Sequence, residues 1–271
     1  MDGYGYIKDL PADLNTPMKG VMIFHGNTAK DGDPIDGKGV WSVLKPGHGV
    51  GFASDGVINA YSNRFGLELT FAKRLRALDQ ESNIAIIKYS RGGTSIDKEA
   101  AGNFGCWEPD FSQNNGVNQY DHFLATVRNA MAVRDIDGDG QEDTLIPSGI
   151  LWMQGESDTA YTQAIAERYE ANLRRLMNLI RAAFRMDDIP AVIGRISDSG
   201  RNESGKVWKF GEIVRQAQAD FVKEDGFAAL VTETDNYQYS DPWHYDSAGY
   251  IDLGKRFAET LHSLLLKRRG N

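Results

Sequence analysis

Ile150-Leu151-Trp152-Met153-Gln154-Gly155-Glu156-Ser157-Asp158 passes from an apolar run to a cluster of polar groups without a break. The apolar half has the length and unbroken hydrophobicity of a strand covered on both faces, as in a parallel sheet. The polar half sets an amide, Gln154, and a carboxylate, Glu156, on either side of Gly155. Polar groups at the end of a buried strand are costly unless something partners them. A helix cap at Ser157 or Asp158, opening a helix near Tyr161, explains two of these residues and leaves Gln154 and Glu156 over.

Four further apolar runs have the same character: Val21–Phe24, Ile84–Tyr89, Ala191–Ile196 and Ala228–Val231. Between them lie stripes at helical spacing. Phe71, Ala72, Leu75 and Leu78 form one, and Tyr120, Phe123, Leu124, Val127 and Met131 a second. Residues 165–184 carry a third, 213–221 a fourth and 250–264 a fifth, the last closing on Lys267, Arg268 and Arg269. Alternating strands and helices predict an α/β fold. The expected architecture is a three-layer doubly wound sandwich with a five-stranded, mainly parallel sheet of flavodoxin-like order. Residues 1–271 read as a single domain, with 1–18 as an N-terminal extension. In such folds the site lies at the carboxyl ends of the strands.

Three more loops fall at such ends. Gly26-Asn27-Thr28-Ala29 follows the first strand, a polar turn whose N–H groups suit an oxyanion. Its plainer reading is a turn with a hydroxyl cap at Thr28. Gly92-Gly93-Thr94-Ser95 follows the second strand, and paired glycines let backbone approach a ligand closely. Asp241-Pro242-Trp243-His244 precedes the last helix. A carboxylate three residues before a histidine can hold one ring nitrogen and leave the other as a base. Asp246 or Ser247 is the expected cap of the helix that follows.

In this order the blocks resemble those of the SGNH hydrolases, and most closely the sialate O-acetylesterase-like branch that includes carbohydrate esterase family six. Gly66-Leu67-Glu68, Gly92 to Ser95, Trp152 to Asp158 and Asp241 to His244 carry the resemblance, which runs from about Lys19 to the final helix. It implies a carbohydrate O-acetylesterase working through an acyl-enzyme without a cofactor. His244 resembles the general base and Asp241 its orienting carboxylate, with Glu156 supporting the site. Asn27, the Gly93 N–H and the Gln154 side chain resemble the oxyanion and substrate-binding groups. Gly26-Asn27-Thr28-Ala29 stands where the family has Gly-Gln-Ser-Asn, so the nucleophile position would hold Thr28. The extra methyl of threonine stiffens χ1 and crowds attack. Three readings stay open: a slow threonine esterase, a catalytically impaired relative that binds glycans, or an engineered serine-to-threonine change.

Asp135-Ile-Asp137-Gly-Asp139-Gly140-Gln141-Glu142-Asp143 is a separate acidic loop. Carboxylates at positions 1, 3 and 5 with glycine at 6 match the start of a calcium loop. Ile146 at position 12 and a following strand exclude an EF-hand. Structural calcium held by Asp135, Asp137, Asp139, Gln141 and Asp143 is the expectation.

Composition narrows the rest. The formal charge of -8 argues against nucleic acid and anionic membranes, and suits neutral substrates such as acetylated sugars. The lone Cys106 excludes an internal disulfide and a cysteine metal site. No run approaches the length of a membrane span, and residues 1–11 lack the apolar core of a signal peptide. Secretion or a periplasmic location is expected by analogy with glycan-processing relatives alone. The loops hold too little Leu and Phe for a lipase or thioesterase pocket. Trp41, Trp107, Trp208 and Trp243 are candidates for stacking on sugar or for packing.

Overall fold

A computed structural model describes residues 2–27, 35–80, 82–112 and 116–270. The chain begins with β1 (Gly5–Tyr6), β2 (Val21–His25), β3 (Ser42–Val43), β4 (Ala53–Ser54), β5 (Asn59–Ala60) and β6 (Arg64–Phe65). Then come α1 (Glu68–Leu78), β7 (Ile84–Lys88), α2 (Gln119–Ala132), β8 (Ile150–Trp152), α3 (Gln163–Glu167) and α4 (Tyr169–Ala183). The last part is β9 (Ala191–Gly194), α5 (Gly211–Glu224), β10 (Ala228–Val231) and α6 (Ser247–Gly270).

All five apolar runs form strands, and all five stripes form helices. The stripe over 165–184 is divided at Arg168, where α3 ends and α4 begins. The sheet departs from the expected one. It is built as two blocks, β3-β2-β7 and β10-β9-β8. β2 runs parallel to β7, and β9 runs parallel to both β8 and β10, while the short β3 is antiparallel to β2. Among the described residues, no hydrogen-bonded pairing joins β7 to β8, so a continuous five-stranded sheet is absent.

Two helical layers cover these blocks. α1 packs along α6, and α4 packs along α5. α2 meets α4 where the Tyr120 hydroxyl donates to Leu179 O at 3.1 Å. The main core lies between helices and strands, around Ile23, Leu69, Leu173, Met177, Ile193 and Phe257. Among the described residues no helix is long and apolar enough to cross a membrane.

The stretch the sequence sets apart as an extension is built into this body. Leu10 and Leu14 are buried in the core. β1 pairs antiparallel with β6, Gly5 opposite Phe65. Tyr6 N donates to Ser247 Oγ at 3.0 Å, and Ser247 Oγ donates to Asp9 at 2.7 Å, which fastens the stretch to the start of α6. Asp246 caps that helix by accepting from Gly249 N at 2.8 Å.

Candidate active site

The loops after β7 and β8 meet at one rim. Gln154 Nε2 donates to Thr94 O at 2.9 Å and to Asp158 Oδ2 at 2.6 Å. Asp158 is fully buried, and its carboxylate also accepts from the N–H groups of Ile96 and Asp97. It thus caps the turn after Gly92–Ser95 rather than a helix of its own. The helix after it starts at Gln163, with Thr162 as its cap. Burial pushes the Asp158 carboxyl up to about 7, against the lowering effect of its hydrogen bonds from Gln154 and the backbone. Arg168 binds Asp97 from outside through Nε at 2.8 Å, tying the same turn to the start of α4.

Both amide hydrogens of Gln154 are therefore committed, and Tyr169 donates its hydroxyl to Gln154 Oε1 at 3.2 Å. Gln154 stands as a clamp between two loops. Gly93 has φ +75°, and a Cβ there would lie 2.5 Å from the Phe104 ring. The turn needs glycine for both reasons.

Asp241 and His244 come together as the sequence leads one to expect. His244 Nδ1 lies 2.8 Å from Asp241 Oδ2 and 3.0 Å from Oδ1. Asp241 Oδ1 also accepts from the N–H groups of Trp243 and His244, each at 2.8 Å. Partial burial pushes the Asp241 carboxyl up, but these hydrogen bonds outweigh it and hold it below its ordinary range. With Nδ1 occupied, Nε2 is the ring nitrogen left for proton transfer.

Two further residues belong here, and the sequence reading passed over both. The Tyr4 ring stacks on His244, with centroids 3.4 Å apart and planes 14° apart. Burial, then the charges of Asp2 and Asp241, raise the Tyr4 hydroxyl above its ordinary range. Asp2 Oδ2 accepts from Gly92 N at 3.0 Å. A carboxylate oxygen on this N–H has the charge and hardness of an oxyanion. The strand-like alternation Gly3-Tyr4-Gly5-Tyr6 is the signal that could have drawn attention to this stretch.

The remaining candidates are placed as follows. Thr28 lies outside the described residues. Its neighbour Asn27 faces the 38–54 segment: its N–H donates to Lys38 O at 2.7 Å, and its Oδ1 accepts from Ser54 N at 3.1 Å. Glu156 is half-buried, and its carbonyl accepts from the Thr159 hydroxyl at 2.7 Å. Glu68 is buried against Lys88 at 3.1 Å and accepts from Gly66 N at 2.9 Å, which makes it structural. Trp41 and Trp107 are buried and donate to Ala130 O and Thr94 Oγ1, so they are packing residues. Trp243, beside His244, is 56% exposed.

In the acidic loop, oxygens of Asp135, Asp137 and Asp143 lie within 4.8 Å of one another. Asp139 turns away and accepts from Gln141 N at 2.8 Å and from its Nε2 at 3.2 Å. The three grouped carboxylates fit part of a hard-cation shell.

Comparisons with known proteins bear on the family and the fold. Residues 43–263 match the family described as carbohydrate esterase, sialic acid-specific acetylesterase. Among solved structures, a protein from Arabidopsis thaliana is similar at 18% identity and a TM-score of 0.62, over 94% of this chain and 85% of that one. A carbohydrate acetylesterase from Xanthomonas citri is similar at 14% identity and a TM-score of 0.63, over 98% of this chain and 55% of that one. These likenesses show a shared fold, and the chain spans about half the length of the second protein. No curated protein matches the sequence. With most of its length matched, the chain belongs to the carbohydrate esterase family of sialic acid-specific acetylesterases.

Proposed function

We propose that this protein removes acetyl groups from O-acetylated carbohydrate through an acyl-enzyme. The observation that carries this reading is the His244–Asp241 pair, held on the rim that also presents the Gly92–Gly93 turn. His244 Nε2 takes the proton of an attacking hydroxyl, and the hydroxyl oxygen bonds to the acetyl carbon. Backbone N–H groups of the Gly92–Gly93 turn receive the oxyanion, at the place where Asp2 Oδ2 now accepts. The imidazolium returns its proton to the departing sugar hydroxyl. Water, activated by the same nitrogen, then releases acetate.

Gln154 acts by fixing the Thr94 carbonyl, and Tyr4 by holding the His244 ring in plane. The exposed Trp243 offers a sugar-stacking face next to the base. Thr28 is the hydroxyl that the sequence nominates for attack. Calcium between Asp135, Asp137 and Asp143 would neutralise a loop that sits apart from the rim.

The test is acetate release from an aryl acetate and from O-acetylated sialic acid, by the parent, His244→Ala and Thr28→Ala proteins. Release that disappears in His244→Ala supports the proposal. Equal release by parent and His244→Ala overturns it. Full release by Thr28→Ala would assign the attack to another hydroxyl.

A further inference from the structure

β2 and β9 are buried along their whole length. β7 and β8, which lie nearer the middle, carry half-buried positions as the outer strand β10 does, and Ala85 of β7 is exposed. Strands of a parallel sheet covered on both faces are normally buried throughout. Among the described residues, each of these two strands has its partner on one side only: β2 for β7 and β9 for β8.

Between the two free edges lies a cavity of about 1100 Å³. Ile86 and Leu151 line its strand sides, Phe71 and Leu261 one helical layer, and Val127 and Ile180 the other. Two polar side chains on its wall, Ser90 Oγ and Trp152 Nε1, have no hydrogen-bond partner among the described residues, although both residues are more than nine-tenths buried. Unpartnered polar atoms at such depth are rare, and so are two bare parallel edges facing each other inside a covered sheet.

We propose that this slot seats one more parallel strand, inserted between β7 and β8 and supplied by chain on the N-terminal side of Met1. Direction and position both follow from the rim. The loops after β7 and β8 meet there through the Gln154–Thr94 bond, so the two strands run the same way. A strand running with them leaves the slot at that rim, and Asp2 is held there on Gly92 N. An antiparallel strand would leave at the opposite end and could not continue into Asp2. About five or six residues suffice to span the layer. Such a strand joins the two blocks into one sheet, covers Ala85 and gives both bare edges backbone partners. Its last residues, leading into Asp2, would then lie against Gly92 and Tyr4 and share in shaping the site.

Hydrogen exchange, read by mass spectrometry, compares the 271-residue chain with the same chain preceded by the residues its gene encodes in frame upstream of Met1. The proposal expects the amides of 84–88 and 150–152 to slow by about 100-fold or more in the longer protein, with a higher Tm. Equal exchange in the two proteins overturns it, and so does a gene that encodes nothing upstream. Should the longer protein fold poorly, the upstream residues are given as a free peptide to the shorter one. Protection of the same two strands supports the proposal, and none at millimolar peptide overturns it. Acetate release is scored separately. Protection without release leaves the strand in place and counts against the esterase reading, and release without protection does the reverse.

Discussion

His244 is held on two sides by different forces. Asp241 fixes its Nδ1 through hydrogen bonds, and Tyr4 fixes its plane by stacking. Asp241→Asn keeps an acceptor for the two backbone N–H groups but loses the charge that favours the imidazolium. It should lower kcat by about 10²–10⁴-fold with little change in Tm, measured by initial rates and thermal melting. Trp243→Ala should raise KM for a sugar ester by about 3–10-fold and leave an aryl acetate unaffected. An unchanged KM for the sugar ester in Trp243→Ala would remove Trp243 from the sugar site. Asp158 gives a pH prediction. Its carboxyl titrates at about 7 in the folded protein against the ordinary 3.8, so the folded state holds this proton longer than the unfolded chain does. Its contribution to stability is present below ~pH 4 and is lost as pH rises through about 7. The Tm of the parent relative to Asp158→Asn should therefore fall across that window, and a constant difference would contradict it. At this scale the Asp241–His244 pair was legible because both members lie in one loop. Tyr4 and Asp2 were not, because partners 240 and 90 residues away, His244 and Gly92, leave no trace in local spacing.

The elements were legible wherever one period dominated. Val21–His25 and Ala191–Gly194 are strands and Gln119–Ala132 is a helix because each buries a continuous face. The loops were harder to read. Asp158 looked like a cap for its own helix, yet it caps the turn at Ile96 and Asp97, a tertiary choice that no local rule contains. The GGTS turn is the most constrained loop. Gly93→Ala must place a Cβ at positive φ and against Phe104, at a cost of about 1–2 kcal/mol before any clash. Lower activity with a modest fall in Tm is expected, and wild-type rates would show that the turn is not part of the site. In the acidic loop, calcium should raise Tm by about 2–4 °C for each kcal/mol of binding free energy, with EDTA reversing the shift. An unchanged Tm at millimolar calcium would contradict a cation there.

Over the whole molecule, the fold class was legible and the sheet was not. Composition and alternation predict an α/β fold, and a mixed α/β fold forms, with helices against both strand blocks. Which strands are neighbours is set by long-range pairing, and there the expected single sheet gives way to two blocks separated by an apolar cavity. The site sits on the rim of that divide, so the integrity of the sheet and the geometry around Gly92 and His244 depend on each other. The most direct measurement is acetate release from O-acetylated sialic acid, by the parent protein and by the same protein with His244→Ala. Release that falls by about 10²-fold or more in the variant, with unchanged Tm, is the expected result. Equal rates in the two proteins would contradict His244 as the base and, with it, the esterase site.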